Sequence, residues 1–120
     1  MNTMSVVDVQ EDMKHLPQID LEVRHHFADG CYARELIIPK GTALVGALHK
    51  TNHHFTVSKG CVVVNNGKSR KKLTAPYHGQ TYAGEKKLII ALDDSVFTTY
   101  HVTNLTGVEE IGKQILGVEL

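Results

Sequence analysis

Between residues 19 and 103 apolar and polar positions alternate in short runs rather than recurring every three or four residues. Alternation of period two is the mark of a strand with one face buried. Gly, Pro, Asn and Asp interrupt the runs at intervals of about 8–12 residues, the rhythm of turns in a sandwich or barrel. The pattern predicts strands over 21–27, 31–38 and 42–49, then a run that ends at Lys59-Gly60. Further strands are predicted over 61–65, 68–74, 80–83, 87–92 and 96–103. Asn66-Gly67 is the strongest hairpin signal, because both residues tolerate the positive φ that tight turns demand. No span between the strands is long and periodic enough for a crossover helix.

The period changes at both ends. Val6, Val9, Met13 and Leu16 recur at helical spacing over 5–16, and Ser5 with Asp8 resembles a capping pair. Pro17 ends that segment, since the residue before a proline is pushed out of the helical region. Thr106-x-x-Glu109 reads as a capping box, ahead of a helix with Val108, Ile111, Ile115 and Val118 along one side. The chain thus divides into an arm over 1–18, an antiparallel β-barrel over 19–103 and an amphipathic helix over 104–120. The apolar side of that helix, with Leu116, must cover its own barrel or a neighbouring subunit. A homo-oligomer, most simply a two-fold dimer, is expected.

Composition narrows the function classes without naming a reaction. One hundred and twenty residues is a single domain's length, enough to build a core unaided. Thirteen basic residues balance thirteen acidic ones, so no global basic field recruits nucleic acid. The cluster Lys68-x-Arg70-Lys71-Lys72 reads as a solvated strand face that discourages edge pairing. No apolar stretch approaches the roughly 20 residues of a membrane helix. The start carries no basic-then-apolar leader, so a cytoplasmic protein with reduced Cys31 and Cys61 is expected. Neither cysteine belongs to a Cys-x-x-Cys pair, which argues against a thiolate zinc site.

Eight histidines are the chemical signal. In one straight strand His49 and His53 would stand about 13 Å apart, too far to share an ion. A helix would join them, but no Glu follows His49 as in the zinc-protease motif, and the surrounding residues are poor helix formers. A turn at Lys50-Thr51-Asn52 instead ends one strand at His49 and opens the next at His53. The two imidazoles then converge, while His54, of opposite parity, points away. His101 shares strand parity with Phe97 and Thr99 and faces the interior. His25 and His26 are adjacent, so a strand turns at most one of them inward. Glu35 lines the barrel or forms a surface ion pair. Tyr32, Tyr82 and Tyr100 read as packing residues.

Gly41, His49, His53 and Gly60 resemble the first motif of the cupins, small jelly-roll β-barrels with a metal inside. In that family a Gly precedes a His-x-His pair, then an acidic ligand, then a Gly seven residues on. His53 stands at the acidic position here, His49 at the second His, and Ala47 replaces the first. Ala75-Pro76-Tyr77-His78-Gly79 loosely resembles the second motif and puts His78 near its ligand position. Residues 24–30, 32–35 and 94–101 also resemble small cupin-like proteins encoded by bacteriophages.

The resemblance implies an all-β, single cupin-like antiparallel barrel of jelly-roll type. It implies a divalent first-row metal (iron, nickel, zinc, copper or manganese) on His49, His53, His101 and His78, and a small-molecule ligand in the barrel. Imidazole donors suit these ions. Catalytic residues are not identified. The competing reading is a non-catalytic oligomeric module, a phage accessory or virion-associated protein, in which the histidines line the barrel without metal. Host cytoplasm or the virion is the corresponding location.

Overall fold

The computed structural model describes residues 21–46 and 50–113. The expected N-terminal helix, His49, and the helix positions Ile115, Leu116 and Val118 lie outside the described residues. Nine strands are present among those described: β1 (Glu22–Ala28), β2 (Cys31–Ile38), β3 (Ala43–Val45), β4 (His53–Lys59), β5 (Cys61–Asn65), β6 (Arg70–Thr74), β7 (Tyr77–Thr81), β8 (Leu88–Ala91) and β9 (Ser95–Val102). A single helical turn, α1 (Val108–Ile111), follows.

The strands form two antiparallel sheets. One has the order β1-β2-β9-β4-β7, the other β3-β8-β5-β6. Their inner faces pack together as a jelly-roll sandwich, the architecture expected for the barrel. Leu36, Ile38, Phe55, Val57 and Phe97 come from the first sheet. Val62, Val64, Leu73, Ile89 and Ala91 come from the second. Each is separated from the next core residue of its strand by one outward position, so period-two alternation generates the core directly.

Three differences from the predicted elements have local causes. The strand expected over 80–83 lies at Tyr77–Thr81 instead, because residues 77–81 pair along β4 from Val57 to His53. Asn66-Gly67 closes a four-residue loop rather than a two-residue turn: Asn65 pairs with Arg70, and the Asn66 side-chain oxygen accepts from the amides of Lys68 and Ser69. The capping box does not form. Gly107 is the N-cap of α1, with no side-chain cap, and the helix starts one residue later than Thr106 would place it. The basic cluster runs along β6, an edge strand, where Arg70, Lys71 and Lys72 are exposed. That is where charge blocks edge-to-edge pairing.

Candidate functional site

Register in the five-stranded sheet fixes which side chains meet inside. Val23, Leu36, Phe97, Val57 and Tyr77 form one row across β1, β2, β9, β4 and β7. The next row is His25, Arg34, Thr99, Phe55 and Gly79. In the row after that, Phe27 pairs with Tyr32 and Tyr32 with His101. His54 opposite Tyr100 sets His53 beside His101, and His53 pairs with Thr81. The inner face therefore runs from apolar at one end to imidazole, phenol and guanidinium at the other.

His53 and His101 are the centre of the polar end. Their rings lie 4.7 Å apart between centroids, and they are 5% and 3% exposed. Nδ1 of His53 is 3.2 Å from the Thr51 carbonyl oxygen. A carbonyl can only accept, so Nδ1 carries the proton and the buried Nε2 keeps its lone pair. Nε2 of His101 is 2.9 Å from the Thr99 hydroxyl, and its Nδ1 is buried. Burial pushes the His101 pKa down to about 4, helped by the charges of His53 and Arg34. Burial also lowers His53, against a smaller opposing effect of its hydrogen bond to Thr51. Both rings are neutral at pH 7, the protonation state a metal ligand requires.

Tyr32, fully buried, stacks between Phe27 and His101 at centroid distances of 5.2 and 5.9 Å. Its hydroxyl is 2.6 Å from Nδ1 of His25, and burial raises its pKa, so it stays a neutral phenol. His25 is thus the inward member of the 25/26 pair. His26 faces out, where its Nε2 is 3.2 Å from a Glu35 carboxylate oxygen. Glu35 is accordingly an outer-face residue and supplies no carboxylate to the interior. Lys87 donates to the Thr81 hydroxyl at 2.7 Å and sits 4.4 Å over the Phe55 ring. An open cleft of about 170 Å³, whose lining includes Phe55, Tyr77, Gly79, Tyr82, Glu85 and Lys87, is bordered by neither histidine. Gly79 leaves room for Phe55 there: a Cβ would stand 2.5 Å from the ring.

His78 does not join this constellation. Because β7 begins at Tyr77, His78 points outward, and its ring stacks on that of His54 at 4.9 Å on the outer face. The placement of His78 as a barrel ligand is corrected accordingly. Cys31 and Cys61 are both free thiols, and Cys61 contacts Thr74. Sequence reasoning passed over Arg34. Its parity with Tyr32 and Leu36 places it inside.

The fit of a metal can be judged from the donors present. His53 and His101 offer two neutral imidazoles, a set suited to first-row ions rather than to magnesium or calcium. Among the described residues no group of three His, Cys, Asp or Glu side chains comes together. The pair fits two positions of a nitrogen-rich site.

No family model matches this chain, and no curated protein matches it. Its fold is shared by solved cupins. A cupin superfamily protein from Desulfitobacterium hafniense superposes with a TM-score of 0.60 at 8% identity, over 73% of this chain and 82% of that one. A cupin-2 domain containing protein from Shewanella frigidimarina gives 0.58 at 11% identity, over 82% and 95%. Acetylacetone dioxygenase from Acinetobacter johnsonii gives 0.59 at 15% identity over 68% of this chain, which spans 59% of the enzyme. The likeness shows a cupin-type fold. No helix among the described residues is long and apolar enough to cross a membrane.

Proposed function

We propose that this chain is a cupin-fold small-molecule binding protein whose ligand site is the polar end of the barrel. We propose further that His53 and His101, with His49 as third donor, hold a divalent first-row metal there. The observation that supports this reading is the facing pair of neutral, desolvated imidazoles on the adjacent strands β4 and β9. A bound metal would supply Lewis acidity and open positions for an oxygen ligand. The protein's own residues set the frame around it. Thr51 fixes the tautomer of His53, and Thr99 holds the ring of His101. Phe27 and Tyr32 wall the row on the β1–β2 side. The neighbours include two dioxygenases, of acetylacetone and of salicylate, which makes an oxidative reaction the first class to assay. The finer likeness to phage-encoded cupin-like proteins rests on residues 24–30, 32–35 and 94–101 and accompanies this reading.

Elemental analysis of protein purified without an affinity tag tests the proposal. About one metal ion per chain is expected in the wild type and in His54→Ala, whose ring is on the outer face. His53→Ala should lose it. Wild-type protein that retains no metal, and takes up none when offered iron, nickel, zinc, copper or manganese, would overturn it.

A further inference from the structure

Arg34 is the one charged side chain of its inner row, and its position is unusual for a guanidinium. It stands opposite Thr99 on one side and His25 on the other, one row below Tyr32 and His101. Its Nε is sealed from solvent and has no hydrogen-bond partner among the described residues. The acidic side chains that pair within the described residues do so elsewhere, Glu22 with Arg24 and Glu35 with His26, both on the outer face. Glu85 lies toward Lys87 at the other edge of the sheet, where its carboxylate accepts from the Tyr82 amide. Arg34 as a whole is half-buried, and a sealed guanidinium nitrogen without an acceptor is costly, so the fork is placed to take an acceptor from a ligand. Among the described residues its neighbours, two imidazoles, a phenol and a threonine hydroxyl, carry no negative charge. A metal on His53 and His101 would add positive charge to the same end of the barrel.

We infer that Arg34 is the anchor for a small organic carboxylate that enters the polar end of the barrel, with the Thr99 hydroxyl and the Tyr32–His25 pair lining its seat. The planar guanidinium fork matches a carboxylate in two parallel hydrogen bonds, and these charge-assisted bonds are the strong ones. The row above offers imidazole to the far side of the same ligand. The row below, Leu36, Phe97 and Val57, is apolar and belongs to the core. This inference rests on the reading of the polar end as a ligand site, and it names the class of ligand.

The test uses acetate as the probe. The melting temperature of full-length protein is followed at pH 7.5 against sodium acetate, with sodium chloride at equal ionic strength as control. It is done on chelator-treated and on zinc-loaded protein. Acetate should raise the melting temperature beyond chloride in both. Arg34→Met should abolish that rise. Arg34→Lys keeps the charge but not the fork, and should weaken acetate at least about tenfold; it also serves as the reading if the methionine variant does not fold. Acetate that acts no better than chloride on the wild type, or equally on wild type and both variants, overturns the inference. An acetate effect that needs Arg34 in protein that takes up no metal supports Arg34 while the metal proposal fails. Zinc uptake with an acetate effect indifferent to Arg34 separates the two in the other direction.

Discussion

Acid should weaken this fold through His101, by an amount the structure allows to be worked out. The perturbation is a drop from pH 7.0 to 4.5 in the presence of a chelator, so that proton linkage alone is read. In the unfolded chain His101 titrates near about 6.5. In the fold, burial between β2 and β4 and the charges of His53 and Arg34 hold it down to about 4. Since the folded value is the lower, the unfolded state binds the proton first, and stability falls as pH drops from about 6.5 toward 4. One pKa unit corresponds to about 1.36 kcal/mol. At pH 4.5 the full difference would be about 2.5 kcal/mol. Allowing for solvent that reaches the polar end of the barrel, about 2 kcal/mol remains. Urea unfolding of wild type and His101→Asn at both pH values isolates the residue, because carboxylates common to the two proteins cancel. The wild type should lose about 2 kcal/mol more than the variant over the interval. Parallel pH profiles would mean that His101 is not desolvated in the fold, and the neutral imidazole pair would go with it.

Two further outcomes test the packing that supports the site. Gly60 has φ of +81°, and a Cβ there would overlap the Ser95 hydroxyl and the Asp94 carbonyl oxygen, so Gly60→Ala should cost about 2–4 kcal/mol in urea unfolding; a change under about 0.5 kcal/mol would contradict the geometry. Phe97, 3% exposed and stacked on Phe55 at 4.9 Å, should cost about 3–5 kcal/mol when replaced by Ala, and a loss below about 1 kcal/mol would show that the two sheets do not close on it.

Much of this was legible in the sequence, and the reason is parity. Once a strand opens at His53, the pleat turns His53, Phe55 and Val57 in and His54 out, and Phe97, Thr99 and His101 follow the same rule on β9. His78 shows where motif resemblance misleads. It stands near a ligand position of the second cupin motif, but the register of β7 against β4 sets it opposite Thr56 and turns it to the outer face. Arg34 was hidden for a different reason. Charged residues are seldom turned inward, so residue type gave no cue to it. Alternation alone, with Tyr32 and Leu36 on either side, carried the contrary signal. The four-residue loop at Asn66 was set by side-chain hydrogen bonds that no pattern of apolar positions records.

β9 is the last of the described strands and yet the middle strand of its sheet, flanked by β2 and β4. Its pairings join residues as far apart as Cys31 and Val102. During synthesis, then, β1–β2 and β4–β7 are made early but have no common neighbour until residues 95–102 leave the ribosome. His53 waits exposed through that interval and acquires its partner only when His101 arrives. A chain terminated or cleaved before β9 loses the seam of the sheet and the His53–His101 pair in the same stroke. The five-stranded sheet and the imidazole pair it carries are therefore completed together in one late step.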